Sequence, residues 1–223
     1  MYLKNDDKNP TKDEIIVDLI KDQLEEKMQA SSMDINVSCK DGIVQLSGFV
    51  DVLKEKKYAQ DIVLYIKGVK AIENNLTISM DGNFNDKHIE KELSDNLNSN
   101  KYRDRISNVG TKVNDGTASL IGTVNTLKDC HIALDIASKT RGLKNVVNNI
   151  SIVSPKRVDD SSITNNIIQQ FSLNKIDNID CNVDNGTVTL KGVVESRKDV
   201  ELAKDIAMDI KGVRKLKTKL KLK

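Results

Sequence analysis

The chain has 223 residues, of which 38% are hydrophobic and 30% charged, with 35 Lys and Arg against 33 Asp and Glu for a net charge of +2. That balance, with only 11 Gly and 2 Pro, describes a globular protein and excludes a disordered or collagen-like chain. Aromatic residues make up 3%, Trp is absent and there are two His, so material for base stacking, acid–base chemistry and metal ligation is scarce, and no apolar run approaches the ~20 residues of a membrane-spanning helix.

From Met1 to Pro10 no basic stretch leads into an apolar one, so no secretory signal is expected and the chain is expected to be cytoplasmic. Thr11-Lys12-Asp13-Glu14 has the form of a capping box, and Ile16, Leu19, Ile20 and Leu24 follow it as the apolar face of a predicted helix. Next, Ile35, Val37 and Cys39 alternate with polar residues, the period of a strand with one buried face. The Asp41-Gly42 dipeptide predicts a two-residue type I′ hairpin turn, which needs positive φ at both central residues. The return strand should bury Val44, Leu46 and Val50, with Gly48 in the same alternation and Phe49 facing outward. A buried-face glycine implies close backbone approach, expected here from the helix that carries Ala59. That helix places Ala59, Ile62, Val63 and Ile66 at helical spacing and should end with Gly68 in the left-handed C′ position. A third strand carries Leu76 and Ile78. Strand, helix and strand together imply a right-handed crossover and a parallel pair beside the antiparallel hairpin.

The same series then recurs twice. Gly42, Gly48 and Gly68 are followed by Gly116, Gly122 and Gly142 and by Gly186, Gly192 and Gly212, always with spacings of 6 and 20 residues. The glycine-bearing segments align over 38 residues without insertion, at offsets of 74 and 70, too long for a solenoid repeat and suited to small domains in series. In the second copy the first helix carries His88, Ile89, Leu93 and Leu97, and the strands carry Val109, Thr111, Val113, Ala118, Leu120, Val124, Ile150 and Ile152. Its second helix carries Ala133, Ile136, Ala137 and Thr140. In the third copy the helices carry Ile163, Ile167, Ile168 and Phe171, then Ala203, Ile206, Ala207 and Ile210. The strands there carry Ile179, Cys181, Val183, Val188, Leu190, Val194, Leu220 and Leu222. The expected architecture is α+β: three tandem α-β-β-α-β domains over 11–80, 84–153 and 158–223, each a three-stranded mixed sheet with two helices on one face. Short linkers fall near residues 80–83 and 154–157, and outward Phe49, Ile121 and Val193 are candidates for contacts between copies.

The run Asn185-Gly186-Thr187-Val188-Thr189-Leu190-Lys191-Gly192-Val193-Val194, with Ala203 through Gly212-Val213, resembles the BON domain of bacteria, and the first and second copies follow it. The second departs with Ala118, Ile121 and Leu143 where the pattern has Val, a variable residue and Val. The resemblance spans nearly the whole chain in three tandem copies and implies a non-enzymatic binding role without a cofactor. It further implies association with anionic phospholipid surfaces or a part in stress and envelope maintenance. Its alternatives are potassium or small-ion sensing, as in a cytoplasmic relative, and a structural role through self-association or a protein partner.

No phosphate-binding glycine motif, H-E-x-x-H or C-x-x-C occurs. Three cysteines cannot complete a disulfide framework, which agrees with a reducing compartment. Cys39 and Cys181 fall on inward strand positions as small hydrophobes, and Cys130 and His131, adjacent on a helix, point apart by about 100°. His88, single in its copy, is a surface or capping residue, so no metal site and no catalytic residue is expected. Asp6-Asp7, Glu25-Glu26 and Asp159-Asp160 fit solvated faces or helix starts.

Net charge rises along the chain, −3 over residues 1–80, +1 over 81–155 and +4 over 156–223. The last strand is its steepest part: Lys215, Lys217, Lys219, Lys221 and Lys223 fall on one side and Leu216, Leu220 and Leu222 on the other. Such lysines keep an edge strand from pairing, and they also form a candidate patch for anionic lipid, with the chain peripheral at the membrane. Nucleic acid is disfavoured by the missing aromatic platforms and the acidic first copy. That acidic copy could instead face the basic third copy of a neighbouring molecule, head to tail.

Overall fold

A computed structural model describes residues 10–79, 85–99, 101–153 and 158–223. The two expected linkers lie outside the described residues. The first copy comprises α1 (Lys12–Met28), β1 (Ile35–Lys40), β2 (Ile43–Val50), α2 (Leu53–Leu64) and β3 (Ala71–Ile78). In the second are α3 (Asp86–Ser99), a one-turn α4 (Arg103–Ile106), β4 (Val109–Asn114), β5 (Thr117–Val124), α5 (Leu127–Ser138) and β6 (Asn145–Ile152). The third has α6 (Asp160–Leu173), β7 (Ile179–Asp184), β8 (Thr187–Val194), α7 (Arg197–Asp209) and β9 (Lys215–Leu222). Each copy forms its own three-stranded sheet with the return strand in the middle: β1-β2-β3, β4-β5-β6 and β7-β8-β9. In the first and third sheets the hairpin pair is antiparallel and the crossover pair parallel, so the fold is α+β as expected.

Local chemistry explains the boundaries. The Thr11 Oγ1 accepts from the Glu14 N–H at 3.2 Å while the Glu14 carboxylate accepts from the Thr11 N–H at 2.7 Å, a closed capping box at the start of α1. Ser196 and Asp199 close the equivalent box ahead of α7, at 2.9 and 3.2 Å. Every hairpin turn has positive φ at both central residues, 53° and 80° at Asp41-Gly42, 48° and 72° at Asp115-Gly116, and 49° and 73° at Asn185-Gly186, the I′ signature that the dipeptides encode.

Val44, Leu46, Val50, Ala118, Leu120, Val124, Val188, Leu190 and Val194 are all buried, so one face of each middle strand forms core. Both helices of a copy supply the other half: in the third copy Ile163, Ile167 and Phe171 of α6 and Ala203 and Ala207 of α7 share a cluster with Val188 and Leu190. The opposite sheet face stays open, with Phe49 58%, Ile121 53% and Val193 46% exposed. Some apolar residues assigned to helix cores face water instead: Leu19 is 45% and Ile168 49% exposed, each at the margin of its stripe. Leu222 is also 48% exposed, since it stands at the open end of an edge strand.

Two glycine expectations need correction. The chain that crowds Gly48, Gly122 and Gly192 is not a helix but the strand beside it: a Cβ added there would stand 2.0, 1.9 and 2.1 Å from the carbonyl oxygens of Asp34, Asn108 and Asn178. These positions also have φ of 112°, 140° and 153°, conformations that L residues with a side chain avoid. Ala59, Ala133 and Ala203 are fully buried but do not make that approach. Nor do Gly68, Gly142 and Gly212 cap the preceding helices, which end earlier, at Leu64, Ser138 and Asp209. They lie in the following turn, where the Gly68 and Gly212 carbonyls press on Gly42 and Gly186 at 2.9 and 2.7 Å from an added Cβ. Ile66, Thr140 and Ile210 accordingly fall beyond their helices.

The described residues fall into two compact units, one built on the first copy with residues 114–117 and 138–145, the other holding 90–113, 118–137 and 146–223. Within the second unit, copies two and three share packing. Leu127 of α5 belongs to the third copy's core and Ile152 of β6 packs against it. Beside them the Arg105 guanidinium bonds both Asp129 of its own copy and Asp209 of α7, and Lys128 reaches Asp205 and Asp209 at 3.6 and 3.9 Å. Asp129 is 3% exposed and also accepts from the Thr126 N–H at 3.1 Å.

Candidate functional site

In β9 a lysine alternates with a leucine or threonine, and the parallel register with β8 settles which side each takes. Lys215, Lys217, Lys219 and Lys221 stand beside Thr187, Thr189, Lys191 and Val193, while Leu216 and Leu220 stand beside Val188 and Gly192. The leucines are half-buried toward the helices and the four lysines are exposed on the open face, as is Lys191. Alternate strand positions repeat every ~6.6 Å and neighbouring strands lie ~4.8 Å apart, so five ammonium groups populate a flat surface roughly 20 Å long. On the far strand, Asp180 and Asp184 pair with Lys191 and Thr187, so acid is confined to one border. Lys223 lies just past the strand and comes within 4.0 Å of Glu195, both side chains being largely exposed, a pair worth little in water.

The other copies use the same scaffold with different outward residues. Ala71, Glu73, Asn75 and Thr77 occupy the exposed positions of β3, and Asn145, Val147, Asn149 and Ser151 those of β6. The cationic face therefore belongs to the third copy.

A second recurrent arrangement lies at the hairpin turns, and the sequence reading missed it. Near the start of each copy's first helix an aspartate receives both turn N–H groups on its two oxygens. Asp13 accepts from Asp41 and Gly42 at 2.7 and 3.0 Å, Asp86 from Asp115 and Gly116 at 2.8 and 3.0 Å, and Asp160 from Asn185 and Gly186 at 2.7 and 2.9 Å. The signal was an aspartate 29, 30 or 26 residues before each turn glycine; the first two fell in a capping motif and an unremarked helix start, and Asp160 was taken for a solvated helix start. The Asp41 N–H chiefly holds the Asp13 carboxyl below its ordinary range, against the opposing effect of desolvation, with help from the Cys39 thiol, the Gly42 N–H and Lys70. Next to these turns lie recesses of about 440 Å³ in the first copy, bordered by Asp13, Gly42, Lys67, Gly68 and Lys70, and about 600 Å³ in the third, bordered by Val158, Asp160, Gly186, Gly212 and Arg214. Because the carboxylate oxygens already accept from the turn, the arrangement fastens helix to hairpin.

The remaining singled-out residues are dispersed. Cys130 is buried and accepts from Asn148 Nδ2 at 3.3 Å, while His131 is exposed; His88 is exposed as well. Burial pushes the Cys130 thiol up and the Cys181 thiol up to about 11. Burial also raises Cys39, with a smaller contribution from its bond to Asp13. Among the described residues no group of His, Cys, Asp and Glu could hold a metal ion, and no helix is long and apolar enough to cross a membrane.

The model of the BON domain matches three times, over residues 12–80, 85–154 and 159–223. The chain belongs to the BON domain family. Its three copies are BON domains in tandem, and the cationic face is a property of the third BON domain. No curated protein gives a match. Among solved structures, the C-terminal domain of CdsD, the structural protein of the type III secretion system of Chlamydia trachomatis, is 15% identical, with 93% of this chain and 97% of that chain covered and a TM-score of 0.27. The periplasmic domain of the type III secretion inner membrane protein PrgH from S. typhimurium is 11% identical, with 90% and 100% covered and a TM-score of 0.23.

Proposed function

We propose that this chain is a non-catalytic binding protein whose third BON domain docks on anionic phospholipid surfaces through its open sheet face. The observation that carries this reading is the set of exposed ammonium groups of Lys191, Lys215, Lys217, Lys219 and Lys221 on one flat face, joined at its end by Lys223. Each basic side chain near such a surface contributes ~1 kcal/mol, so the patch supplies about 5 kcal/mol, an affinity near the millimolar range. Docking is therefore peripheral, reversible and sensitive to salt. The cytoplasmic leaflet carries the negative surface potential that attracts such a patch, which fits the expected cytoplasmic location. Thiols held protonated by burial and histidines standing apart in solvent support binding rather than catalysis.

The test is flotation with zwitterionic or anionic vesicles at low and at ~150 mM salt, where exposed charges are screened beyond ~8 Å. Binding is expected to anionic vesicles alone, to weaken with salt, and to be lost in Lys217→Glu/Lys219→Glu. Binding that ignores lipid charge, or that survives this double reversal, would reject the reading.

A further inference from the structure

A second unpartnered face lies on α1, which buries Ile16, Ile20 and Leu24 in its own domain. Its outer side holds Ile15 and Leu19, each 45% exposed and one turn apart. Asp18, Asp22, Glu25 and Glu26, all exposed, surround them. Successive residues turn by about 100°, so Ile15, Leu19, Asp22 and Glu26 lie within a narrow sector, with Asp18 and Glu25 along one margin. Gln23 donates to Glu26 at 3.0 Å, but among the described residues no cation comes within ion-pair distance of these four carboxylates. Among the described residues the five lysines of the third domain's open face likewise have no anionic partner within that distance. The side chains of both faces are exposed.

We infer that the acidic, apolar-centred face of α1 docks on the cationic sheet face of the third BON domain of a second copy of this chain. The two are complementary in charge, four carboxylates against five ammonium groups, and in extent. From Ile15 to Glu26 the helix runs about 16 Å at 1.5 Å per residue, against roughly 20 Å for Lys215 to Lys221 at 3.3 Å per residue. Each surface also has exposed apolar area, Ile15 and Leu19 on one and Val193 on the other. A helix laid there gives the open sheet face the cover its opposite face already has. Because the joined faces differ, association is heterologous and runs head to tail, closing into a ring or extending as a chain. It occupies the same lysines as the lipid reading without resting on it, so an anionic membrane competes with assembly.

Sedimentation velocity over a concentration series, at ~20 mM and ~500 mM salt, tests this with a charge swap. Wild type is expected to associate at low salt and to be monomeric at high salt. Asp18→Lys/Asp22→Lys/Glu26→Lys and Lys215→Glu/Lys217→Glu/Lys219→Glu are each expected to be monomeric alone and to associate when mixed, because each supplies the face the other reversed. A wild type that stays monomeric at low salt, a variant that associates alone like wild type, or a mixture that stays monomeric would overturn the inference. If a triple variant unfolds, the neutral Asp22→Asn/Glu26→Gln and Lys217→Gln/Lys219→Gln replace it. Each should weaken wild-type association at least tenfold, and unchanged association would overturn the inference equally. Flotation of the neutral Asp22→Asn/Glu26→Gln variant separates the two readings, since it retains every lysine of the lipid face and adds no new cation.

Discussion

Replacing Arg105 by Ala removes one of the groups that join the second BON domain to the third. The cost is set by Asp129, whose side chain is 3% exposed, because without the guanidinium its carboxylate loses its charged partner and keeps the Thr126 N–H at 3.1 Å. Breaking a fully buried ion pair costs about 3–5 kcal/mol. Here the arginine side chain is 35% exposed, so water enters the vacated space and the expected loss is roughly half that, about 2 kcal/mol. The outer bond to Asp209, 42% exposed, should account for less than about 1 kcal/mol of it. Urea unfolding of Arg105→Ala, Asp209→Asn, Asp129→Asn and the doubles with Arg105→Ala measures both terms, with the larger coupling expected between Arg105 and Asp129. A loss below about 0.5 kcal/mol for Arg105→Ala, or a larger coupling to Asp209 than to Asp129, would refute the assignment of the cost to the buried carboxylate. Leu127→Ala, which empties a place in the neighbouring domain's core, should destabilise the third domain by about 2–4 kcal/mol, and an unchanged third-domain transition would show that the core is not shared.

Other consequences are accessible to the same methods. Gly192→Ala puts a Cβ 2.1 Å from the Asn178 carbonyl oxygen and should cost about 3 kcal/mol or more, lowering the melting temperature by roughly 10 °C; a shift within error would mean that the strand yields freely. Asp160→Asn retains size but not the charge that accepts two turn N–H groups, and hydrogen exchange at Asn185 and Gly186 should accelerate relative to Asp184. Because the Asp13 carboxyl is held below its ordinary value of 3.8, its contribution to stability is complete above that value and is lost as pH falls through the lower, folded one. The stability gap between wild type and Asp13→Asn should therefore close on acidification below about pH 4, and a gap that widens there would contradict the pairing. With its thiol pushed up to about 11 by burial, Cys181 should resist alkylation at mildly alkaline pH until the third domain unfolds, as followed by mass spectrometry.

The alternation of Val188 and Leu190 with polar residues, the Asn185-Gly186 dipeptide and the spacing of Ala203 and Ala207 are local patterns. Each reports a period or a turn that its own few residues impose, so the α-β-β-α-β order, the hairpins and their type I′ turns, and the side on which Lys215 to Lys221 project were all legible in the chain. Threefold recurrence strengthened the reading, because a backbone requirement met at Gly48 had to be met again at Gly122 and Gly192. What crowds those glycines was not legible: the Asp34 carbonyl and its counterparts are brought there by strand pairing, and any close neighbour would have asked for the same glycine. The aspartates that fasten the turns were hidden similarly, since Asp13 sits inside a good capping sequence and its second task is evident only when a turn 28 residues away arrives beside it. Leu19 and Ile168 belonged to apolar stripes, yet a stripe one residue too wide for its groove leaves its edge in water. Local sequence determined the elements and their inward and outward faces, because periodicity and turn chemistry act within a few residues. Tertiary structure alone decided the sharing of Leu127 between two cores, the meeting of Arg105 with Asp209 across 104 residues and the exposure of two oppositely charged faces, because these depend on which surfaces other parts of the chain cover.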